Sequence, residues 1–293
     1  MSFVKTLIVS SRPLSWVNTA FPFAAAYLMT ARAIDLVFVI GTLFFLIPYN
    51  IAMYGINDVF DYESDMRNPR KGGVEGAVLA KKYHAPMLWA VAIITIPFVV
   101  VLVALGNPLS WAVLAVSLFA VVAYSVKGLR FKEVPFVDSV TSSTHFVSPA
   151  IYGLALAGAA FTPALILILA AFFLWGTASH AFGAVQDIKA DRDAQLSSIA
   201  TALGARLTTR LAIAEYALAG ILLLIAAGLG WEASWPVFYA AFFALPYIGM
   251  CWPYRSLADA DCERANGGWR FFLAINFFVG FGVTMLLLLR LAA

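Results

Sequence analysis

Residues 36–65 decide the fold, and their sequence is LVFVIGTLFFLIPYNIAMYGINDVFDYESD. The first part, residues 36–56, carries no charged side chain and matches the length of about 20 apolar residues that spans a bilayer core. A group of acids follows at once, namely Asp58, Asp61, Glu63 and Asp65. Because carboxylates are costly near a membrane, this cluster at the end of a span indicates a functional site.

The whole chain has the composition of a membrane protein. Of its 293 residues, 62% are hydrophobic and only 12% are charged, whereas a soluble domain carries about 25% charged residues. Recurring apolar runs predict an all-α polytopic protein with one domain, residues 1–293, whose helices form a single bundle with a central cavity open to the cytoplasmic side. The nine predicted transmembrane helices are residues 14–31, 36–56, 86–105, 108–126, 136–158, 163–185, 209–230, 234–252 and 270–290.

The basic residues predict the orientation. With a cytoplasmic N-terminus, 17 of the 19 lysines and arginines lie on the inner side, and only Arg32 and Arg290 lie outside. This asymmetry favours a multi-pass protein of the plasma membrane with its C-terminus on the outer side. The net charge of +3 therefore reflects topology and basic loops, and we expect membrane lipid but no nucleic acid as a partner.

The first acidic segment has the spacing of a ligand set. Asn57, Asp61 and Asp65 are four residues apart in turn, so they share one face if the helix continues past the membrane surface, and Asp58 lies one position around it. Like charges at this spacing repel, and a bound cation relieves the repulsion. Ligands that are all oxygen suit a hard ion such as Mg²⁺, which is typically shared with substrate phosphates. The alternative is a solvated helix end with scattered acids.

A second acidic segment repeats the pattern 130 residues further along the chain. Asp187 and Asp191 are again four residues apart and follow the predicted span 163–185. Two carboxylate pairs at the same end of different helices predict a joint site for Mg²⁺ and a diphosphate. If these acids were only solvated helix ends, the same arrangement would have to arise by chance twice, at the same depth in the membrane.

Basic residues near the first segment and after a later span could bind the phosphate groups. Arginine binds phosphate with two parallel hydrogen bonds, and lysine acts as a point charge. Basic residues beside a span are also ordinary determinants of topology, so each of these roles has a simple alternative. The candidates for diphosphate binding are Arg67, Arg70, Lys71, Tyr124, Lys127, Arg130 and Lys132.

The motifs together resemble those of the UbiA-type intramembrane prenyltransferases, over essentially the whole chain. The matching residues are Asn57-Asp58-x-x-Asp61-x-x-x-Asp65, Tyr124-Ser125 with Arg130-x-Lys132, and Asp187-x-x-x-Asp191. The resemblance implies Mg²⁺ and a prenyl diphosphate, with Asn57, Asp61, Asp187 and Asp191 as metal ligands. It also implies that the catalytic carboxylates are Asp58, Asp61, Asp65, Asp187 and Asp191.

Within that superfamily, the sequence is similar to those of bacterial lycopene elongases. The similar stretches are residues 47–77, 141–146 and 197–201. This resemblance implies transfer of a dimethylallyl group from dimethylallyl diphosphate to the ends of lycopene, with possible hydratase activity. One departure concerns a lysine that the family often has four residues after the tyrosine of its Tyr-Ser motif; here the residue is Gly128, and Lys127, Arg130 or Lys132 is the replacement.

The implied reaction is ionisation of the donor to an allylic cation, followed by alkylation of the acceptor. Candidates for the base that takes the last proton are Asp65 and His145. One alternative is a prenyltransferase that acts on an aromatic quinone precursor or another lipid acceptor. Another is a cation-coupled transporter, which is disfavoured because transporters place ionisable residues near the bilayer midplane, and the predicted spans are nearly free of charge there.

Overall fold

The structure is a computed structural model that describes residues 2–66, 78–229 and 234–292. Over these ranges the chain is helical and forms no β-strand, as predicted. The predicted diphosphate ligands Arg67, Arg70 and Lys71 lie outside the described residues. The α-helices are α1 Phe3–Ser10, α2 Val17–Ala31, α3 Leu36–Leu46, α4 Pro48–Phe60, α5 Tyr62–Asp65, α6 His84–Ala104, α7 Pro108–Ser125, α8 Val137–Leu156, α9 Pro163–Val185, α10 Ile188–Asp193, α11 Ile199–Gly228, α12 Ser234–Ala241, α13 Ala244–Cys251 and α14 Asn266–Ala292.

Seven helical segments of the described chain are long and apolar enough to cross a membrane. They correspond to seven of the nine predicted spans. The remaining two, 14–31 and 136–158, coincide with α2 and α8; α2 has only 15 residues, and α8 includes Asp138, His145 and several hydroxyl side chains. The chain is thus an integral multi-pass membrane protein, while the nine-span count and the cavity open to the cytoplasm stay predictions.

Local sequence explains where the helices begin and break. Asp35 caps α3, because its carboxylate accepts a hydrogen bond from the backbone N–H of Phe38 at 2.8 Å, which lowers the pKa of Asp35. Pro48 then occupies the first position of α4 and divides the predicted span 36–56 into two helices. Helix α11 begins at Ile199 rather than at the predicted residue 209, because Ser198 and Thr201 form a capping box.

The described chain divides into two compact units, and the prediction of one domain stays a prediction. The first unit comprises Met1–Phe131 and Ser148–Ala159. In it, α4 packs against α6, α7 and α3, around a core rich in aromatic rings. That core includes Phe23, Phe44, Phe45, Tyr49 and Tyr152, all completely buried.

The second unit comprises Lys132–Val147 and Ala160–Ala293. Helix α11 packs along α9 and also contacts α12 and α13. The buried core of this unit combines small residues such as Ala178 and Ala212 with Phe182, Tyr216 and Tyr247. Small residues allow the backbones of membrane helices to approach closely, and the resulting van der Waals packing stabilises their association.

Gly153 of α8 lies against the backbone of α2 within the first unit. A Cβ atom at this position would lie 2.8 Å from the carbonyl oxygen of Phe23 and 3.2 Å from the backbone nitrogen of Tyr27. Backbone cannot yield as a side-chain tip can, so we expect Gly153→Ala to destabilise the protein by about 1–3 kcal/mol. The midpoint of thermal unfolding in detergent measures the loss.

Gly280→Ala is the matched control, because a Cβ atom at Gly280 in α14 meets nothing within 4 Å. Alanine is the better helix former, so this variant should unfold at the wild-type temperature or slightly above it. Equal midpoints for Gly153→Ala and the wild type would contradict the close packing of α8 on α2.

Candidate functional site

The first acidic segment starts on the last turn of α4. The backbone N–H of Asp61 donates to the carbonyl of Asn57 at 2.9 Å, which keeps the two side chains one helical turn apart, as predicted. The helix ends there, because Asp61 has φ −97° and ψ 1°, and α5 restarts at Tyr62. The continuous face through Asp65 is therefore interrupted at Asp61, and the side chain of Asp65 lies outside the described residues.

Asp58 is bound to the N-terminal segment of the chain. Its side chain is fully buried and accepts a hydrogen bond from the Ser10 hydroxyl at 2.5 Å. The guanidinium of Arg12 lies 3.4 Å from the same carboxylate and 4.2 Å from the ring centroid of Tyr54. These contacts fix Arg12 between a carboxylate and an aromatic face, so Asp58 positions Arg12 and the end of α1.

Asn57 contacts the end of α7. Its amide nitrogen donates to the hydroxyl of Ser125 at 3.0 Å, so that its carbonyl oxygen is directed away from this hydroxyl. Ser125 belongs to the Tyr124-Ser125 motif that the sequence singled out. The contact shows how the motif orients the side chain of Asn57, a predicted metal ligand.

Arg130 is a basic residue that lies beside Asp61 in the described part of the chain. One terminal nitrogen donates to the carbonyl of Phe60 at 3.5 Å, and the other lies 3.9 Å from the carboxylate of Asp61. By contrast, Lys127 is exposed, and Lys132 begins the second unit.

Gly128 stands where the resemblance described above leads us to expect lysine. Its φ of 98° lies in the left-handed region that favours glycine, and a lysine in this backbone conformation would be strained. The local turn thus accounts for the departure from the family pattern, while Arg130 places its charge at the end of α4.

The second acidic segment follows the end of α9 at Val185, the predicted residue. Asp187 precedes α10, and the backbone N–H of Asp191 donates to the carbonyl of Asp187 at 2.8 Å. Both side chains are partly exposed and one helical turn apart, as the spacing predicted. Gln186 is held from α14, because its side-chain oxygen accepts a hydrogen bond from the Asn266 amide at 2.6 Å.

An ion pair anchors α10 to the rest of the second unit. Arg192 lies 2.8 Å from the carboxylate of Asp259, which also accepts a hydrogen bond from the backbone N–H of Ala205 at 2.7 Å. Gly204 has φ 77° and makes this N–H available at a break in α11. One carboxylate therefore links α10, α11 and the short 3₁₀ helix Asp259–Ala265.

Several site contacts escaped the sequence analysis. Asp138 was not singled out, but its buried carboxylate accepts from the backbone N–H of Ile199 at 2.7 Å and lies 3.6 Å from His180. Ser10 was not considered, and Glu215 was missed although it stands inside a predicted span. The only available signal was an acidic residue within an apolar run.

The chemistry of the donors fits magnesium bound together with a phosphate. Among the described residues, no group of three His, Cys, Asp or Glu side chains is arranged to hold a metal ion by itself. Each acidic segment instead offers two oxygen side chains one turn apart, Asn57 with Asp61 and Asp187 with Asp191. Mg²⁺ characteristically takes one or two carboxylates and completes its shell with water and substrate phosphates.

Comparison with known proteins gives consistent matches along the chain. The profile of the UbiA prenyltransferase family matches residues 19–278. A C(50) beta-cyclic carotenoids biosynthesis protein, LbtBC of Dietzia sp. (strain CQ4), is 57% identical over 283 residues, 97% of this chain and 64% of that protein. The chain thus spans less than two thirds of the Dietzia protein. A lycopene elongase/hydratase of Corynebacterium glutamicum is 52% identical over 288 residues, 98% of both chains.

Among solved structures, a UbiA homologue from Archaeoglobus fulgidus bound to DMAPP and Mg²⁺ has a TM-score of 0.67. The sequences are 17% identical, and the match covers 94% of this chain and 98% of the other. At this identity the likeness shows the fold alone.

Proposed function

The chain belongs to the UbiA prenyltransferase family, and from this premise we propose that it transfers dimethylallyl groups from dimethylallyl diphosphate to the ends of lycopene. It is a membrane prenyltransferase of the kind that the sequence predicted. The observation that carries the proposal is the 52% identity to a lycopene elongase/hydratase over 98% of both chains.

Asn57, Asp61, Asp187 and Asp191 are the residues that would hold magnesium with the donor diphosphate. Bound there, Mg²⁺ would neutralise the negative charge that develops on the leaving diphosphate. The half-buried position of Asn57 and the low exposure of Asp61 support this role, since electrostatic stabilisation is strongest where water is excluded. The Archaeoglobus homologue was solved with Mg²⁺ and DMAPP.

The basic residues would bind the diphosphate oxygens. Arg130 is the best supported, since its guanidinium already lies beside Asp61. The exposed Lys127 is a second candidate on the same turn. Tyr124, Lys132, Arg67, Arg70 and Lys71 remain proposed diphosphate ligands, and Asp58 and Asp65 remain proposed neighbours of the site.

The proposed reaction begins when the bond between C1 of the dimethylallyl group and the diphosphate oxygen breaks, with both electrons leaving on oxygen. The electron pair of the terminal double bond of lycopene then forms a new bond to C1, which leaves a tertiary cation on the acceptor. Loss of a neighbouring proton gives a new double bond, whereas attack by water gives a tertiary alcohol. A helix bundle that excludes water protects the first cation from hydrolysis.

An apolar acceptor suits the rest of the molecule, because the mean hydropathy of the chain is +0.88 and lycopene would enter from the lipid phase. We propose a plasma-membrane location with a cytoplasmic N-terminus and an outer C-terminus. The basis is the predicted bias of lysine and arginine toward one side.

Pigment analysis of a lycopene-producing host that expresses this chain tests the proposal. We expect new C45 and C50 carotenoids, at the expense of lycopene, that incorporate labelled dimethylallyl units. A host with the empty vector is the control. Membranes supplied with labelled dimethylallyl diphosphate and either lycopene or 4-hydroxybenzoate separate the acceptors, and label found only in the aromatic product would refute the lycopene assignment.

A further inference from the structure

Glu215 is the only acidic residue of α11, and nothing proposed above uses it. It lies 11 positions after the break at Gly204, or ~16 Å along the helix at 1.5 Å per residue. A carboxyl group at such a depth in an apolar helix is costly and marks a functional position by default.

Glu215 has few polar neighbours among the described residues. The hydroxyl of Thr177 on α9 lies beside the carboxyl group and is its polar neighbour. Its Oε2 atom is buried and has no hydrogen-bond partner among the described residues. The hydroxyl of the next residue, Tyr216, forms a hydrogen bond with the hydroxyl of Ser179, and the two oxygens are 3.0 Å apart.

Thr177 can serve both protonation states of Glu215. Its hydroxyl oxygen also lies 3.0 Å from the carbonyl of Leu174, to which it donates a hydrogen bond. With a single hydrogen it can either donate to an ionised Glu215 or donate to Leu174 and accept from a protonated Glu215. A small rotation of one hydroxyl therefore compensates a proton gained or lost in the carboxyl group.

Trp175 on α9 and Tyr216 on α11, the near neighbours of Thr177 and Glu215 in sequence, belong to a cluster of aromatic rings in the same unit. Tyr216 stacks on Tyr247 with centroids 5.0 Å apart, and Tyr247 meets Trp175 edge-on at 6.1 Å. Trp175 also stacks with Phe272 at 6.1 Å. Aromatic faces attract cations, so the neighbourhood suits a positively charged carbon centre.

The distance along α9 suits the size of the donor. Thr177 precedes Asp187 by ten residues, or ~15 Å along a helix axis. That length leaves room for a diphosphate at Asp187 and a five-carbon unit that points toward Glu215. A carboxylate at this depth is therefore well placed for the end of the reaction rather than for its start.

We propose that Glu215 is the base that takes the proton from the tertiary cation left on the acceptor after alkylation. This inference rests on the proposed prenyl transfer to an alkene. The C–H bond next to the cationic carbon breaks, its electron pair becomes the new double bond, and the proton bonds to a carboxylate oxygen of Glu215. The resulting carboxylic acid returns its proton to water before the next turnover, so no other reactant is consumed.

Glu215→Gln tests the proposal, because the amide keeps the shape of the side chain but cannot accept the proton as a carboxylate does. In membranes with labelled donor and lycopene, we expect the products formed by proton loss from the cation, here called dehydrated products, to fall by at least ~100-fold. This is the usual contribution of a general base. The ratio of hydrated to dehydrated product should rise, since water can still trap the cation. Metal-dependent release of diphosphate from the donor should persist, because ionisation precedes the step at Glu215.

Thr177→Val removes the hydroxyl and retains the shape, and it should lower formation of dehydrated product about fivefold, the value of one hydrogen bond. Thr209→Val is its matched control, since the Thr209 hydroxyl donates to the Ala205 carbonyl of its own helix at 2.8 Å. Glu215→Asp should recover part of the activity that Glu215→Gln loses.

A wild-type rate and product ratio in Glu215→Gln would overturn the role of Glu215. If Glu215→Gln does not accumulate in membranes, Thr177→Val is the test instead. An unchanged product ratio in Thr177→Val would then overturn the role of Glu215. Wild-type protein that forms no C45 or C50 product would instead defeat the proposed function, so the two failures are distinguishable.

Discussion

Replacing Asp61 with alanine is expected to abolish product formation, with a loss of at least ~100-fold, while folded protein still accumulates in the membrane. The carboxylate lies at the end of α4, almost fully buried and 3.9 Å from Arg130, where it would share magnesium with the diphosphate. Removal of one preorganised electrostatic partner of a developing anion typically costs this much. We expect the same of Asp187→Ala. Labelled dimethylallyl units incorporated per unit of purified protein measure both.

Two exposed acids provide matched controls. Glu63 neighbours Asp61, and Asp193 is the last residue of α10; both are exposed, and neither was proposed as a ligand. Alanine at either position should leave the rate near that of the wild type. Undiminished turnover in Asp61→Ala or Asp187→Ala would remove the magnesium–diphosphate assignment.

Asp58→Ala is expected to give the largest loss of stability, about 3 kcal/mol. The change leaves the Arg12 guanidinium, which is only 21% exposed, without its carboxylate, and the Ser10 hydroxyl without its acceptor. Breaking a buried ion pair by removing one partner is costly because the remaining charge stays desolvated. The midpoint of thermal unfolding and the rate of proteolysis within residues 2–12 are the measurements.

Asp58→Asn separates charge from shape, since the amide oxygen can still accept from Ser10. We expect it to retain more stability than Asp58→Ala. In a double-mutant cycle with Arg12→Ala, the two effects should be less than additive, because both residues belong to one contact. Strict additivity would show that the contact contributes nothing.

The features that the sequence predicted are those with local causes. The bounds of α9, Pro163–Val185, coincide with the predicted span because an apolar run stands between the Thr162 cap and a polar segment. The spacing of Asp187 and Asp191 is likewise a property of one helical turn. The family was identified from such local motifs, and the match over residues 19–278 confirms it.

Contacts between distant residues had no comparable signal. Ser10 and Asp58 are 48 positions apart, and no periodic pattern links a serine in the first helix with one particular aspartate among several. The pairing of Thr177 with Glu215 joins two apolar helices, whose side-chain register depends on packing. The break at Asp61 was missed because the i, i+4 spacing favoured an unbroken helix.

The shared carboxylate of Asp259 has a practical consequence for protein engineering. Exchanging residues 186–198 with those of a relative, to alter donor preference, would separate Arg192 from its counter-ion Asp259. Position 259 would have to be exchanged as well to keep the ion pair. The N–H of Ala205 donates to the other oxygen of the same carboxylate. Three pieces of chain that are separate in any alignment therefore form one exchangeable module, and a chimera designed by loop boundaries alone would divide it.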